Sequence, residues 1–258
     1  MEGKKMLRTI FWFICFFGYL LFTLPALWKA NKLRNQGKIK EHHKHVERIT
    51  SDWARFLVKR AGLTIHVHGK ENLSHDETYL IVSNHQGNFD IPILMGYLGQ
   101  KLSFISKVEV KRIPVVPMWM EHMNCIFMDR KSRRQSIEAI IQGAKNLQEG
   151  NNVVIFPEGT RSKGEPMGAF KKGSFKIAAK SRTPILPVTI DGSFKAMEGN
   201  NNLIRRAEVH LTISPPMYNH IENPDLDVAE LSELVKSQIE NKLSQDLPVE
   251  LFNPLQEN

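Results

Sequence analysis

Residues 79–94 read Tyr-Leu-Ile-Val-Ser-Asn-His-Gln-Gly-Asn-Phe-Asp-Ile-Pro-Ile-Leu. The first five form an apolar run of strand length, and the polar peptide after them carries a glycine where the chain must turn. Pro92 then suits the first turn of a helix. Strand, polar loop and helix in such close succession are the building unit of α/β sheets.

Working outward, the same rhythm recurs. Strands are expected at 63–68, 79–83, 103–106, 126–129, 152–156, 185–190 and 207–213, and helices at 91–99, 132–149, 174–180 and 226–243. This pattern predicts an α/β fold with a mixed, largely buried sheet flanked by helices. No repeat or Pro/Gly-rich linker divides residues 63–258 further, so they are expected to form one domain behind a helical module at 1–62. In open α/β sheets reactive residues gather at the carboxyl ends of strands. The two most unusual peptides, SNHQGNFD at 83–90 and FPEGTRSKG at 156–164, both begin where an expected strand ends.

In the first of these, His85 is the side chain that titrates nearest neutrality and can take a proton from an attacking hydroxyl. Asp90, five positions on across a glycine-containing loop, can turn back to hold the other imidazole nitrogen. The bland alternatives are a surface histidine and an aspartate that caps the following helix. No Gly-x-Ser-x-Gly elbow is present, and Cys15 and Cys125 lie far from His85 in sequence. Direct attack by a substrate hydroxyl is therefore favoured over a covalent intermediate. In the second peptide, Phe156-Pro-Glu-Gly-Thr-Arg-Ser162, backbone N–H groups near Gly159 can approach an anion and Arg161 can fork phosphate oxygens. A Glu158–Arg161 ion pair is the structural alternative. The Gly159–Gly164 spacing imitates a nucleotide-binding loop, but Glu165-Pro166 stands where Lys-Ser/Thr is required.

The net charge is +8, and residues 1–60 hold 13 Lys/Arg against 4 Asp/Glu. The basic character thus belongs to the N-terminus, where residues 9–28 contain no charge at all. About 20 residues at ~1.5 Å each match a ~30 Å hydrocarbon core. The run is long for the apolar region of a signal peptide and lacks a small-residue cleavage site after it, so it is expected to stay in the mature protein. Basic residues on both flanks suit anionic headgroups rather than nucleic acid. Residues 41–62 place Val46, Ile49, Trp53, Phe56 and Leu57 at helical spacing, fitting either an interfacial helix or one packed on the soluble domain. With two cysteines, no disulfide framework or cysteine metal cluster is possible. His42, His43 and His45, or His66 and His68, lack partners at ligand spacing, so no metal is expected.

Taken together, NHQGNFD at 84–90 and FPEGTRS at 156–162 resemble the paired blocks of the lysophosphatidic acid acyltransferase family, within the wider glycerolipid acyltransferases. SKVEVKRIP at 106–114 with IFMDR at 126–130 is similar to the block between them, and ILPV at 185–188 to the last. The resemblance covers about residues 63–215. It implies acyl transfer from a thioester to the sn-2 hydroxyl of 1-acyl-sn-glycerol-3-phosphate, giving phosphatidic acid. His85 would be the base and Asp90 its orienter. Glu158, Gly159, Thr160 and Arg161 would form the acceptor phosphate site, with Lys107 and Arg130 as further substrate contacts and Pro187 shaping the acyl channel. The implied partners are lysophosphatidic acid, an acyl-acyl carrier protein or acyl-CoA, and membrane lipids, with no cofactor. The implied location is the cell membrane, catalytic domain on the cytoplasmic side. Pro117 stands where many members have glycine, which leaves the middle block's geometry open. Glycerol-3-phosphate or another lysophospholipid as acceptor, and a non-catalytic lipid-binding role, are the competing readings.

Overall fold

Two-residue periodicity in the strands is converted by the sheet into two apolar faces. In the computed structural model, which describes residues 2–243, Leu80, Val82, Val153, Ile155 and Ile185 point to one face, and Ile81, Val154, Leu186 and Val188 to the other. Residues 244–258, the end of the expected second domain, lie outside the described residues. All seven expected strands are present: β1 (Leu63–His68), β2 (Leu80–Ser83), β3 (Leu102–Lys107), β4 (Ile126–Met128), β5 (Asn152–Ile155), β6 (Ile185–Asp191) and β7 (Ala207–Ile213). They form one sheet in the order β1-β7-β6-β2-β5-β3-β4. From β6 to β4 every neighbouring pair is parallel; β7 runs antiparallel to β6 and parallel to β1. The sheet is therefore mixed, and β2 and β5 are buried along their whole length.

Nine α-helices are present among the described residues: α1 (Glu2–Phe22), α2 (Leu24–Asn35), α3 (Ile39–Ala61), α4 (Asp90–Tyr97), α5 (Val116–His122), α6 (Arg133–Gln148), α7 (Lys176–Ser181), α8 (Asn219–Glu222) and α9 (Val228–Leu243). Residues from α6, α7 and α9 cover the face that bears Leu80 and Val153. The opposite face is covered by α3 and α4, with Trp12, Leu20 and Leu27 of α1 and α2 in the same core. Gly62, at φ +72°, ends α3 with its N–H on Lys59 O, so that β1 can start at once.

Three differences from the expected elements have physical causes. The apolar run does not continue as one helix to residue 28: it breaks at Thr23, and Pro25 sits in the first turn of α2, where its missing N–H costs nothing. A helix not anticipated, α5, carries Pro117 in its own first turn and is set by Val115 at φ 67°. The helix expected from residue 174 begins as a 3-10 turn at Lys172–Phe175 before α7.

Candidate active site

The parallel direction of β6, β2, β5, β3 and β4 brings their carboxyl ends to one edge. That edge gathers the 84–90 loop, the 156–162 loop, Lys107 at the end of β3 and Arg130 just after β4. Hydrogen bonds between main chains join the two loops, from Ser162 N to His85 O (2.8 Å) and from Lys163 N to Gln86 O (3.1 Å). Asn84 ties the first loop to β6 in both directions, donating to Ile190 O and accepting from Ile190 N, each at 2.8 Å. Gln86 Oε1 accepts Gly192 N–H at 2.9 Å.

His85 Nδ1 lies 2.7 Å from Asp90 Oδ2, and the Asp90 side chain is 0% exposed. The same oxygen accepts Gly87 N–H at 2.9 Å, while Oδ1 accepts the hydroxyl of Ser193. Three donors thus satisfy a carboxylate that has lost its water. Nδ1–H is committed to the carboxylate, so Nε2 is the nitrogen left to accept a substrate proton. Phe156 stacks on the imidazole, ring centroids 4.1 Å apart and 19° from parallel, giving it an apolar wall. Ser193 donates to Asp90 rather than to His85, which does not suit a nucleophile. Burial pushes the Cys125 thiol up to about 12, the reverse of what a reactive thiol needs.

Glu158 and Arg161 do not pair with each other. Glu158 Oε1 accepts His85 N–H at 2.6 Å and Oε2 accepts Gly168 N–H at 3.0 Å, so this carboxylate clamps the backbone of both loops. Burial raises its pKa from the ordinary carboxylate value, opposed by those two N–H donors. A carboxylate has only acceptors to offer, and here both oxygens are used. Arg161 donates from Nη1 to Asn88 Oδ1 and, at 2.8 Å, to Glu198 Oε1. Gly159 takes φ +71° to close the turn onto Phe156 O, and the Lys171 side chain occupies the place of its absent Cβ. Thr160 and Lys107 are exposed. Arg130 donates to Gly159 O, and burial lowers the pKa of its guanidinium.

Beside the loop, an apolar cavity of about 400 Å³ opens between α1, α4 and α5. Its wall includes Phe16, Trp53, Asn88, Phe89, Trp119 and Met197. Pro187, expected at the acyl channel, is not among its lining residues. It is buried inside β6 opposite Val82, with its carbonyl accepting Ser214 N–H, one residue before the β6–β7 ladder starts.

A family model described as Acyltransferase matches residues 64–191. The 1-acyl-sn-glycerol-3-phosphate acyltransferase of Borreliella burgdorferi is 35% identical over 179 residues, which are 69% of this chain and 68% of that protein. This chain belongs to the 1-acyl-sn-glycerol-3-phosphate acyltransferase family. Within the family, the chloroplastic BAT2 enzyme of Brassica napus is 38% identical over 154 residues, 59% of this chain but 44% of its own length. The chain thus spans less than half of that plant relative. The crystal structure of the 1-acyl-sn-glycerophosphate (LPA) acyltransferase PlsC from Thermotoga maritima matches with a TM-score of 0.81 at 25% identity. That match covers 96% of this chain and 99% of that one. Sequence reasoning missed Ser193 and Glu198, which reach the family's two loop blocks from beyond β6. Their only local signal is a polar Asp-Gly-Ser at a strand end.

Proposed function

We propose that the protein transfers an acyl group from an acyl thioester to the sn-2 hydroxyl of 1-acyl-sn-glycerol-3-phosphate, releasing phosphatidic acid and a free thiol. The observation that carries this reading is the His85–Asp90 pair, 2.7 Å apart over a fully buried carboxylate, in the loop whose Asn88 and Phe89 line an apolar cavity. His85 Nε2 takes the hydroxyl proton as the oxygen attacks the thioester carbon. Asp90 holds the tautomer and stabilises the imidazolium that forms. No covalent intermediate is involved, and the reaction draws on no cofactor.

Arg161 and Lys107 receive the acceptor's phosphate, with Thr160 at the edge of the turn. Glu158, Gly159 and Arg130 shape that turn: the first through two backbone N–H groups, the last through Gly159 O. The cavity takes an acyl chain directly from the lipid phase, since α1, which lines it, turns an apolar face outward. Membrane lipids and either an acyl-acyl carrier protein or acyl-CoA are the partners, and the catalytic loops face the cytoplasm.

Purified protein supplied with lysophosphatidic acid, glycerol-3-phosphate or another lysophospholipid, and with each thioester in turn, tests the reading. Phosphatidic acid formed only from lysophosphatidic acid is expected. Fatty acid released at the same rate without any acceptor would replace the transferase with a thioesterase.

A further inference from the structure

Glu198 stands in the 3-10 turn Glu198–Asn200 after β6, 110 residues beyond Asn88, and its side chain is 1% exposed. Its Oε1 accepts from two loops at once: Asn88 N–H at 2.8 Å and Arg161 Nη1 at 2.8 Å. Asn88 Oδ1 accepts from the same Nη1. Its Oε2 is buried with no hydrogen-bond partner and lies over Gly87, where a Cβ would come within 2.6 Å.

A buried carboxylate with one oxygen unused is a costly way to hold two loops together. A neutral amide or an apolar contact would serve packing alone at lower cost. The charge is explained by its partner. Arg161 is a long side chain, 34% exposed, with many accessible rotamers in isolation. Glu198 and Asn88 hold it through a single Nη nitrogen, which keeps the rest of the planar fork for a second anion. Fixing the fork before substrate arrives removes an ordering cost from binding.

We propose that Glu198 is the positioning residue of the phosphate site: it holds Arg161 in the orientation that receives the acceptor's phosphate. This rests on the reading above that Arg161 binds that phosphate.

Initial rates of the full chain in mixed micelles, with lysophosphatidic acid and acyl donor varied separately, test it. Glu198→Gln, nearly isosteric, is expected to raise KM for lysophosphatidic acid about tenfold, as loss of one charge-assisted hydrogen bond does. Its kcat and donor KM should stay within about twofold. In an Arg161→Lys background the same substitution should change acceptor KM by less than about twofold, because neighbours that act through one another are not additive. Glu198→Asp, which retracts the charge by one methylene, should raise KM in the same direction by less, and serves if the glutamine variant does not accumulate. An equal effect of Glu198→Gln in both backgrounds, or a fall in acceptor KM, would overturn the proposal. If Arg161→Ala leaves acceptor KM unchanged, it is the phosphate reading of Arg161 that fails. If Arg161→Ala raises it and Glu198→Gln does not, the positioning role alone fails.

Discussion

At Asp90 a carboxylate without solvent contact is surrounded by three donors, and only one of them, His85 Nδ1–H, belongs to a group that can change charge. Asp90→Asn presents an amide that cannot stabilise the imidazolium and that favours the wrong tautomer, so kcat is expected to fall by about 10³–10⁴. His85→Ala should remove at least about a hundredfold of the rate by loss of the base. Both variants should float with lipid vesicles as the wild type does, since residues before Leu63 carry most of the exposed large apolar side chains. Turnover within a few-fold of wild type in either variant would refute the acid–base assignment. These residues are legible in the sequence because their chemistry and five-residue spacing coincide at a strand end. Ser193 and Glu198 are not, because the fold brings them 103 and 110 residues back along the chain to reach Asp90 and Asn88. Glu158 is legible as part of a block, but its bonds to His85 N–H and Gly168 N–H show only in three dimensions.

The strands are readable because each is a short run rich in apolar residues between polar or turn-forming ones. Elements that depend on a partner are not. The helix α5 offers seven residues with a proline, and its place is fixed by Trp119, whose Nε1–H donates to Thr23 Oγ1 at the α1–α2 break, 2.9 Å away. Tertiary contact, which propensity does not encode, decides such an element. The contact between α3 and the start of β3 gives a second prediction. Lys101 Nζ lies 2.8 Å from His43 Nε2 and also bonds Asn151 Oδ1. Burial lowers Lys101 from its ordinary 10.5 to about 8, and burial with Lys101 nearby lowers His43 to about 4. At neutral pH His43 is thus an uncharged acceptor. For Lys101 the folded state releases its proton more readily than the unfolded chain, so the unfolded state binds more protons between pH 8 and 10.5. Stability contributed by Lys101 must rise with pH across that window and be flat just below it, between pH 7 and 8. The difference in unfolding temperature between wild type and Lys101→Met, followed from pH 7 to pH 10, should therefore shift in favour of wild type as pH rises. A constant difference would sink the argument.

At the scale of the molecule, a polar site and an apolar helix long enough to cross a bilayer share one surface. The helix α1 touches the rest of the protein from end to end. Lys5 bonds Asn200, Arg8 bonds Ala61 O, Thr9 accepts Ile204 N–H, Trp12 donates to Leu57 O and Tyr19 packs against Phe56 with the rings tilted. Its other face presents Leu7, Ile14, Leu21 and Phe22, the last 82% exposed. Gly3–Phe22 is apolar and long enough to cross a bilayer. Crossing it, however, would bring Trp12 to the midplane together with Phe89, whose ring lies 5.3 Å away and directly precedes Asp90. The 84–90 and 156–162 loops would then sit in hydrocarbon, where unpaired polar groups and charges are costly. Lying along one leaflet, α1 buries its apolar face while the loops stay at headgroup level, and the exposed Lys4, Lys29 and Lys32 reach anionic lipid. We therefore expect both ends of α1–α2 on the cytosolic face. Cysteines placed at Gly3 and Gly37, in a background with Cys15 and Cys125 replaced by serine, should react with an impermeant maleimide from the same side of sealed inverted vesicles. If Gly3→Cys is reached only from the lumen and Gly37→Cys only from outside, the helix spans. The contacts that tie α1 to Asn200, Leu57 and Ile204 would then have to break in the membrane.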